Sequence, residues 1–145
     1  MLLLSVQPII ERLKALDKFA EVGGVAQFSR AEEMRQTVPA AFVLPLDNEA
    51  QRINGELSRY SNAVSQYIHD TFAVIIIARN VSDARGEAAI EELAALREAV
   101  VNSLVGWVPP GASCELLYRR GRLEKFNDQT VFWRDEYITA HDLEK

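Results

Sequence analysis

Residues 71–107 constrain the fold of this chain more than any other stretch. They open with Phe72 to Ala78, an apolar run in which both faces of a strand would be hydrophobic. Such a run is typical of a central strand that is covered on both sides. Its β-branched residues favour a strand over a short buried helix, because stiff side chains suit a pleated surface. The run therefore predicts a buried central strand.

An amphipathic helix is predicted directly after this strand. From Arg85 onward, apolar residues recur at steps of three and four, and charged residues occupy the other side. The apolar stripe consists of Ile90, Leu93, Leu96, Val100, Leu104 and Trp107, and the outer side of Glu87, Glu91, Glu92, Arg97 and Glu98. Gly106 and the pair Pro109-Pro110 end the helix. We expect it to pack back on the sheet.

The first part of the chain predicts one helix and one short strand. The helix covers about residues 6–16, with Pro8 tolerated near its start. Its apolar stripe is Ile9, Leu13 and Leu16. After the turn at Gly23-Gly24, residues 25–28 form a strand candidate, and residues 29–36 could add one or two helical turns.

A long β-hairpin is predicted around a polar segment. Ala40 to Leu44 is a second buried strand, after which residues 46–70 are polar and contain the hairpin-turn pair Asn54-Gly55. Alternation resumes at Val64 and runs into the central strand. We therefore predict an arm over residues 46–70 whose polar tip leaves the domain. A loop this long is usually functional or disordered, and an arm without its own core needs a partner.

The last part of the chain predicts a second hairpin. Its strands cover Cys114 to Phe126 and Thr130 to Thr139, with a bulge at Gly121. The polar tail, residues 140–145, is expected to fray. The predicted order is α-β-β-β-α-β-β. This order indicates a single α+β domain over residues 1–145, with a mainly antiparallel sheet that helices cover on one face.

Composition narrows the class of protein. The net charge of −5 argues mildly against a protein that grips nucleic acid, because phosphate contacts need clustered cations. The single Cys114 fits a reducing cytoplasm and an inert packing role. The opening Met1 to Leu4 lacks the basic region and cleavage site of a signal peptide. No apolar run reaches membrane-spanning length, so we expect a soluble protein.

No catalytic, metal or cofactor constellation emerges from the sequence. His69-Asp70 and His141-Asp142 are the His–carboxylate neighbours, and we expect them on the surface or the arm. On a strand, consecutive residues point to opposite faces, so His69 and Asp70 do not easily share a ligand. Asp135-Glu136 with Arg134 lacks the lysine and second acid of a two-metal nuclease. The chain does not look like an enzyme.

One basic cluster, Arg119, Arg120 and Arg122, interrupts the first strand of the second predicted hairpin. A solvated strand edge that discourages sheet-to-sheet pairing is one interpretation, and contact with a phosphate or an acidic partner is the other. Trp107 and Trp133 are expected in the core rather than in a ligand site. A small domain with an arm, free edges and mixed charge is typical of a subunit that assembles.

The sequence resembles the tail terminator (tail-completion, minor tail) proteins of long-tailed bacteriophages, in particular Mu-like and related siphophages. The resemblance spans Ala40 to the last residue, and the predicted order of elements agrees over the whole chain. The segments that carry it are Ala40 to Pro45, Phe72 to Ala78, Asp83 to Ala89, Leu96 to Val100 with Gly106-Trp107, and Val131 to Tyr137.

The resemblance implies a homohexameric ring on the head-proximal end of the tail tube in the virion, assembled in the host cytoplasm. Such a ring stops tube polymerisation, joins the tube to a neck or head-completion protein, and lets DNA pass without sequence-specific binding. It implies no cofactor. The candidate subunit or tube contacts are Asp47, Glu49, Arg52, Asn54, Gly55, Arg59, Tyr60, Tyr67, Arg119, Arg120 and Arg122.

Three alternatives stay open at this point. Another head–tail completion protein of the neck would share the size and fold. A small hydrolase or nuclease would use His69 or Asp135. A cellular adaptor that binds its partner by strand addition would remain monomeric.

Overall fold

A computed structural model describes residues 1–33, 38–51, 65–79, 87–127 and 130–144 of the chain. In these residues three helices and five strands form an α+β fold, as predicted. In chain order the elements are α1 (Gln7–Ala15), β1 (Glu21–Gly23), α2 (Val25–Glu33), β2 (Ala40–Ala50), β3 (Ser65–Arg79), α3 (Glu87–Leu104), β4 (Leu117–Phe126) and β5 (Thr130–Glu144).

The sheet is built around β3, the strand that contains the apolar run. The strand order is β1-β2-β3-β5-β4, so β3 is central. It pairs antiparallel with β2, from Ala40 opposite Ile77 to Ala50 opposite Ile68, and with β5 over the whole of both strands. The short β1 pairs parallel with β2, which makes the sheet mixed rather than purely antiparallel. The prediction of a buried central strand is confirmed.

The predicted strand over residues 25–28 is wrong, because these residues open α2. The first helical bond runs from the Phe28 N–H to the Gly24 carbonyl oxygen (2.9 Å). The Gln27 side chain accepts a hydrogen bond from the Gly24 N–H (2.9 Å), which is half of a capping box. Gly23 leaves room for this side chain, because a Cβ there would lie 2.7 Å from Gln27 Cβ. The strand lies just before this cap, at β1.

Helices cover both faces of the sheet, and not one face as predicted. The first face, defined by Val43, Phe72 and Tyr137, packs against α1 and α3. The second face, defined by Phe42, Ile75 and Phe132, packs against α2 near the β1 edge. The Phe28 ring of α2 lies 5.6 Å from the Phe42 ring, centroid to centroid. Burial on both faces explains why β3 is apolar throughout its centre.

The bounds of the long helix α3 are close to those predicted, but one residue of the predicted apolar stripe lies on the exposed side. Leu96, Val100 and Leu104 are buried against the first face, as the spacing predicted. Ile90, which the same spacing placed in the stripe, is 65% exposed. Gly106, with φ of 89°, follows the helix in the left-handed conformation that glycine adopts without strain.

The hairpin predicted around the polar segment is present at its base. β2 and β3 pair as far as Ala50, and the Gln51 N–H donates to the Tyr67 carbonyl oxygen (2.7 Å). The tip, residues 52–64, lies outside the described residues, and with it the Asn54-Gly55 turn. The base does not stand alone, because residues 65–70 also pair with β5.

The prediction of a frayed tail is wrong for residues 140–144, which continue β5 to Glu144. Ala140 and His141 are buried. His141 Nδ1 contacts the carboxylate of Asp70, which is itself fully buried, and His141 Nε2 lies 2.9 Å from the Met1 carbonyl oxygen. The sequence predicts Asp70 and His141 on the surface or the arm, and this prediction is wrong because both are buried. A cross-strand polar pair keeps these otherwise polar strand ends in the core.

We predict that His141→Ala lowers the free energy of unfolding by about 3 kcal/mol, because it leaves the buried Asp70 carboxylate without its main partner. Urea denaturation measures this change. The matched control is Asp142→Ala. Asp142 is the next residue of β5, its side chain is exposed, and its replacement removes a hydrogen bond from the Ser113 hydroxyl (2.9 Å). The control should cost less than about 1 kcal/mol. Equal effects of the two changes would contradict a structural role for the strand end.

Candidate assembly surfaces

The predicted interface residues of the arm that the structure describes lie on the second face. Asp47 and Glu49 are exposed on β2, opposite Thr71 and His69 of β3. Tyr67 is half-buried on β3, and its ring meets the His69 ring edge-on at 5.4 Å between centroids. The other predicted arm residues, Arg52, Asn54, Gly55, Arg59 and Tyr60, lie outside the described residues. The described part therefore contributes two exposed acids.

Two arginines of the predicted basic cluster share one buried carboxylate. Arg119 Nη1 and Arg120 Nε each donate to Glu136 of β5 at 3.2 Å. The Glu136 side chain is 2% exposed, whereas those of Arg119 and Arg120 are 45% and 59% exposed. Arg134 adds a third guanidinium at 4.0 Å. The buried Glu136 carboxylate therefore partly neutralises the charge of Arg119 and Arg120, whose side chains remain exposed to solvent.

The third arginine of the cluster is held more loosely. Arg122 Nε lies 3.7 Å from Glu124, which also accepts a shorter bond from Arg134 (2.8 Å). Lys125 places its ammonium over the Phe132 ring, 4.5 Å from the centroid, on the second face. This patch, which we call the basic patch, comprises Arg119, Arg120, Arg122, Lys125 and Arg134. Against its five cations stand two carboxylates, Glu124 and Glu136, so it keeps a positive charge.

Asp135, the neighbour of Glu136, lies on the first face in a separate network. Arg97 of α3 binds it with two hydrogen bonds of 2.9 Å, and the Arg97 guanidinium lies 4.5 Å from the Trp133 ring centroid. Trp133 Nε1 (2.9 Å) and the Tyr118 hydroxyl (3.1 Å) also donate to Asp135. These bonds to Asp135 raise the pKa of Arg97. The network ties α3 to β4 and β5.

Gly121 makes space for this network. A Cβ at Gly121 would lie 2.6 Å from the Tyr118 hydroxyl and 2.9 Å from Trp133 Nε1. The register shifts of β4 lie on either side of it, between Tyr118 and Arg120 and between Leu123 and Lys125. Gly121, predicted as a bulge, therefore lies between two register shifts of β4. Its missing side chain leaves room for Tyr118 and Trp133.

The arrangement of the acids favours structure over catalysis. Asp135 and Glu136 point to opposite faces of the sheet, each against arginine, so they do not form the paired carboxylates of a nuclease. Asp70 and His141 are fully buried. Within the described residues, no group of three or more His, Cys, Asp or Glu side chains could hold a metal ion.

Both edges of the sheet carry strand length without a neighbour among the described residues. Beyond β4, residues 117–126 pair only with β5. On the other side, β1 covers residues 40–42 of β2 and leaves residues 44–50 open. Exposed apolar side chains also line β4, at Leu117, Leu123 and Phe126. Free edges of this kind present unpaired N–H and C=O groups to another chain.

Sequence reasoning missed both buried carboxylate networks. Arg97 was assigned to the solvent side of its helix, yet it reaches Asp135 on the strand below. Glu136 was considered only as a catalytic acid. The signal available was the composition of the hairpin, since a strand with Asp-Glu faces a strand with three arginines across the turn.

Free strand edges and exposed charge are features common in the class of proteins that assemble with other proteins. The comparison with protein families agrees with this class. A family model described as phage tail terminator protein matches residues 1–145. The chain therefore belongs to the phage tail terminator family, a family of structural proteins of the virion tail, and the resemblance is confirmed.

A search among curated proteins found no match. Of the helices in the described ranges, none combines the length and the apolar character that a membrane crossing requires.

We predict that Arg97→Met lowers the free energy of unfolding by about 3 kcal/mol, because the buried Asp135 carboxylate loses its cation while Tyr118 and Trp133 remain as donors. Arg122→Met is the matched control. The Arg122 side chain is 55% exposed with a loose partner, so its loss should cost less than about 1 kcal/mol. Thermal or urea unfolding of both variants checks this, and a cost at Arg97 no larger than at Arg122 would contradict it.

Proposed function

We propose that this protein forms a homohexameric ring that caps the head-proximal end of the phage tail tube. The cap stops polymerisation of the tube protein and offers a new surface to the neck or head-completion protein. The observation that carries the proposal is the match of the tail terminator family over the whole chain. The open edges of the sheet support it, because a ring needs a surface on each side of every subunit.

The proposed partners follow from this role. They are further copies of the chain, the tail tube protein and a neck protein, with DNA passing through the ring. A net charge of −5 suits a lumen that DNA crosses without being gripped. The arm over residues 46–70 and the basic patch are the proposed contact surfaces. The candidate contact residues in them that the structure describes are Asp47, Glu49, Tyr67, Arg119, Arg120 and Arg122.

We predict that the wild-type protein limits the length of tubes polymerised from the cognate tail tube protein. Electron microscopy measures tube length and the ends of the tubes. The expected result is tubes of shorter average length with a ring at one end, because each cap removes a growing end. Tubes of the same uncontrolled length with and without the protein would contradict the proposal.

One control variant and two contrary outcomes sharpen this assay. Lys14→Asp changes an exposed charge on α1, which packs on the first face and contains none of the proposed contact residues, and it should cap as the wild type does. Binding to isolated heads without any effect on tube length would point instead to a neck protein. A change in polymerisation rate without end-bound rings would also count against capping.

A further inference from the structure

The two free edges of the sheet carry opposite charge on the same face. The cations of the basic patch lie on the second face at the β4 edge, where Arg120 and Arg122 oppose Glu136 and Arg134. Asp47 and Glu49 lie on the second face at the β2 edge. If one copy continues the sheet of the next, both second faces lie on the same side. The basic patch of one copy then meets the acids of its neighbour.

The strand directions also fit. β2 and β5 run in one direction and β3 and β4 in the other, because β2 and β5 both pair antiparallel with β3, and β4 pairs antiparallel with β5. In a continuous sheet, β4 of one copy would therefore lie antiparallel to β2 of the next. Antiparallel pairs exchange hydrogen bonds perpendicular to the strands, which is the geometry that strand addition commonly uses.

One register satisfies both charged pairs. An antiparallel register that places Arg122 opposite Asp47 also places Arg120 opposite Glu49, because each pair is two residues along its strand. Residues 119–125 of β4 then face residues 50–44 of β2. This is the part of β2 that β1 leaves open, and the pairing stops before it reaches the residues that β1 covers.

The energetics agree with a specific contact. Opposite charges directly across an antiparallel pair stabilise the pairing, and like charges there are unfavourable. The main-chain bonds supply affinity, and the charges select the register and the partner edge. The same charged residues disfavour pairing of β4 with β4 of another copy, which would bring arginines together. They likewise disfavour pairing of β2 with β2, which would bring the two acids of each copy together.

We propose that β4 of one copy adds, antiparallel, to residues 44–50 of β2 in a second copy, with Arg122 opposite Asp47 and Arg120 opposite Glu49. This inference rests on the proposed self-assembly and names its interface. It makes every contact head-to-tail, which is the kind of contact that a closed ring requires and that a two-fold dimer lacks.

Charge reversal with complementation tests the interface. Arg122→Asp and Asp47→Arg each place like charges across the contact, and each should raise the protein concentration for half-assembly by about ten-fold or more. An equimolar mixture of the two variants should restore assembly, because alternating copies then present opposite charges at every contact. Mass photometry across a concentration series measures the assembled fraction. Urea unfolding confirms that both variants fold.

The matched controls lie on α1. Lys14→Asp and Glu11→Arg make the same kinds of charge change at exposed positions of α1, which packs on the first face and not on the second, and assembly should be unchanged. Assembly that persists in both edge variants overturns the proposal, as does a mixture that fails to assemble. A wild-type chain that stays monomeric also overturns it.

Failure of the interface and failure of the function are distinguishable. If the edge variants still form rings and limit tube length, capping stands and the β4–β2 contact is wrong. If the wild type forms rings that the edge variants lose but never limits tube length, the contact stands and capping is wrong.

Discussion

The position of β3 between β2 and β5 is the constraint on which the rest of the structure depends. The strand is hydrogen-bonded along both sides, and its central side chains are buried on both faces. A strand in this position needs cover above and below, which α1 and α3 supply on one face and α2 on the other. The less hydrophobic strands lie farther from the centre of the sheet, and exposed charged side chains are found on β2 and β4 near its two edges.

The buried carboxylates show how the sheet accommodates charge near its core. Asp70, Asp135 and Glu136 are all buried on β3 or β5, and each has a cationic or imidazole partner on a different element. Breaking such a contact costs more than its formation contributes, because the remaining charge is left without solvent. These contacts therefore help to select the register, because a strand that slipped by one residue would turn its acid to the opposite face, away from its present partner.

The central strand, the long helix, the base of the long hairpin and the second hairpin were predictable, because each has a strong periodic or apolar signal. Residues 25–28 were not, since four residues do not separate strand from helix, and the decisive Gln27 cap is a contact of one side chain. The strand end at residues 140–144 was missed for another reason. Its polar residues indicate solvent until Asp70 and His141 are placed side by side by the register of two distant strands. Among the candidate contact residues, charge and exposure were predictable, but their common face was not.

Sharing of one carboxylate among several guanidinium groups gives the β4 edge a form of redundancy. Glu136 is within ion-pair distance of Arg119, Arg120 and Arg134. If one of the two exposed arginines turns toward another molecule, the carboxylate keeps the other cations and no buried charge is stranded. Contacts with other molecules can thus form and break at this edge while the buried carboxylate keeps a cationic partner. Reversible association at the β4 edge therefore need not destabilise the fold.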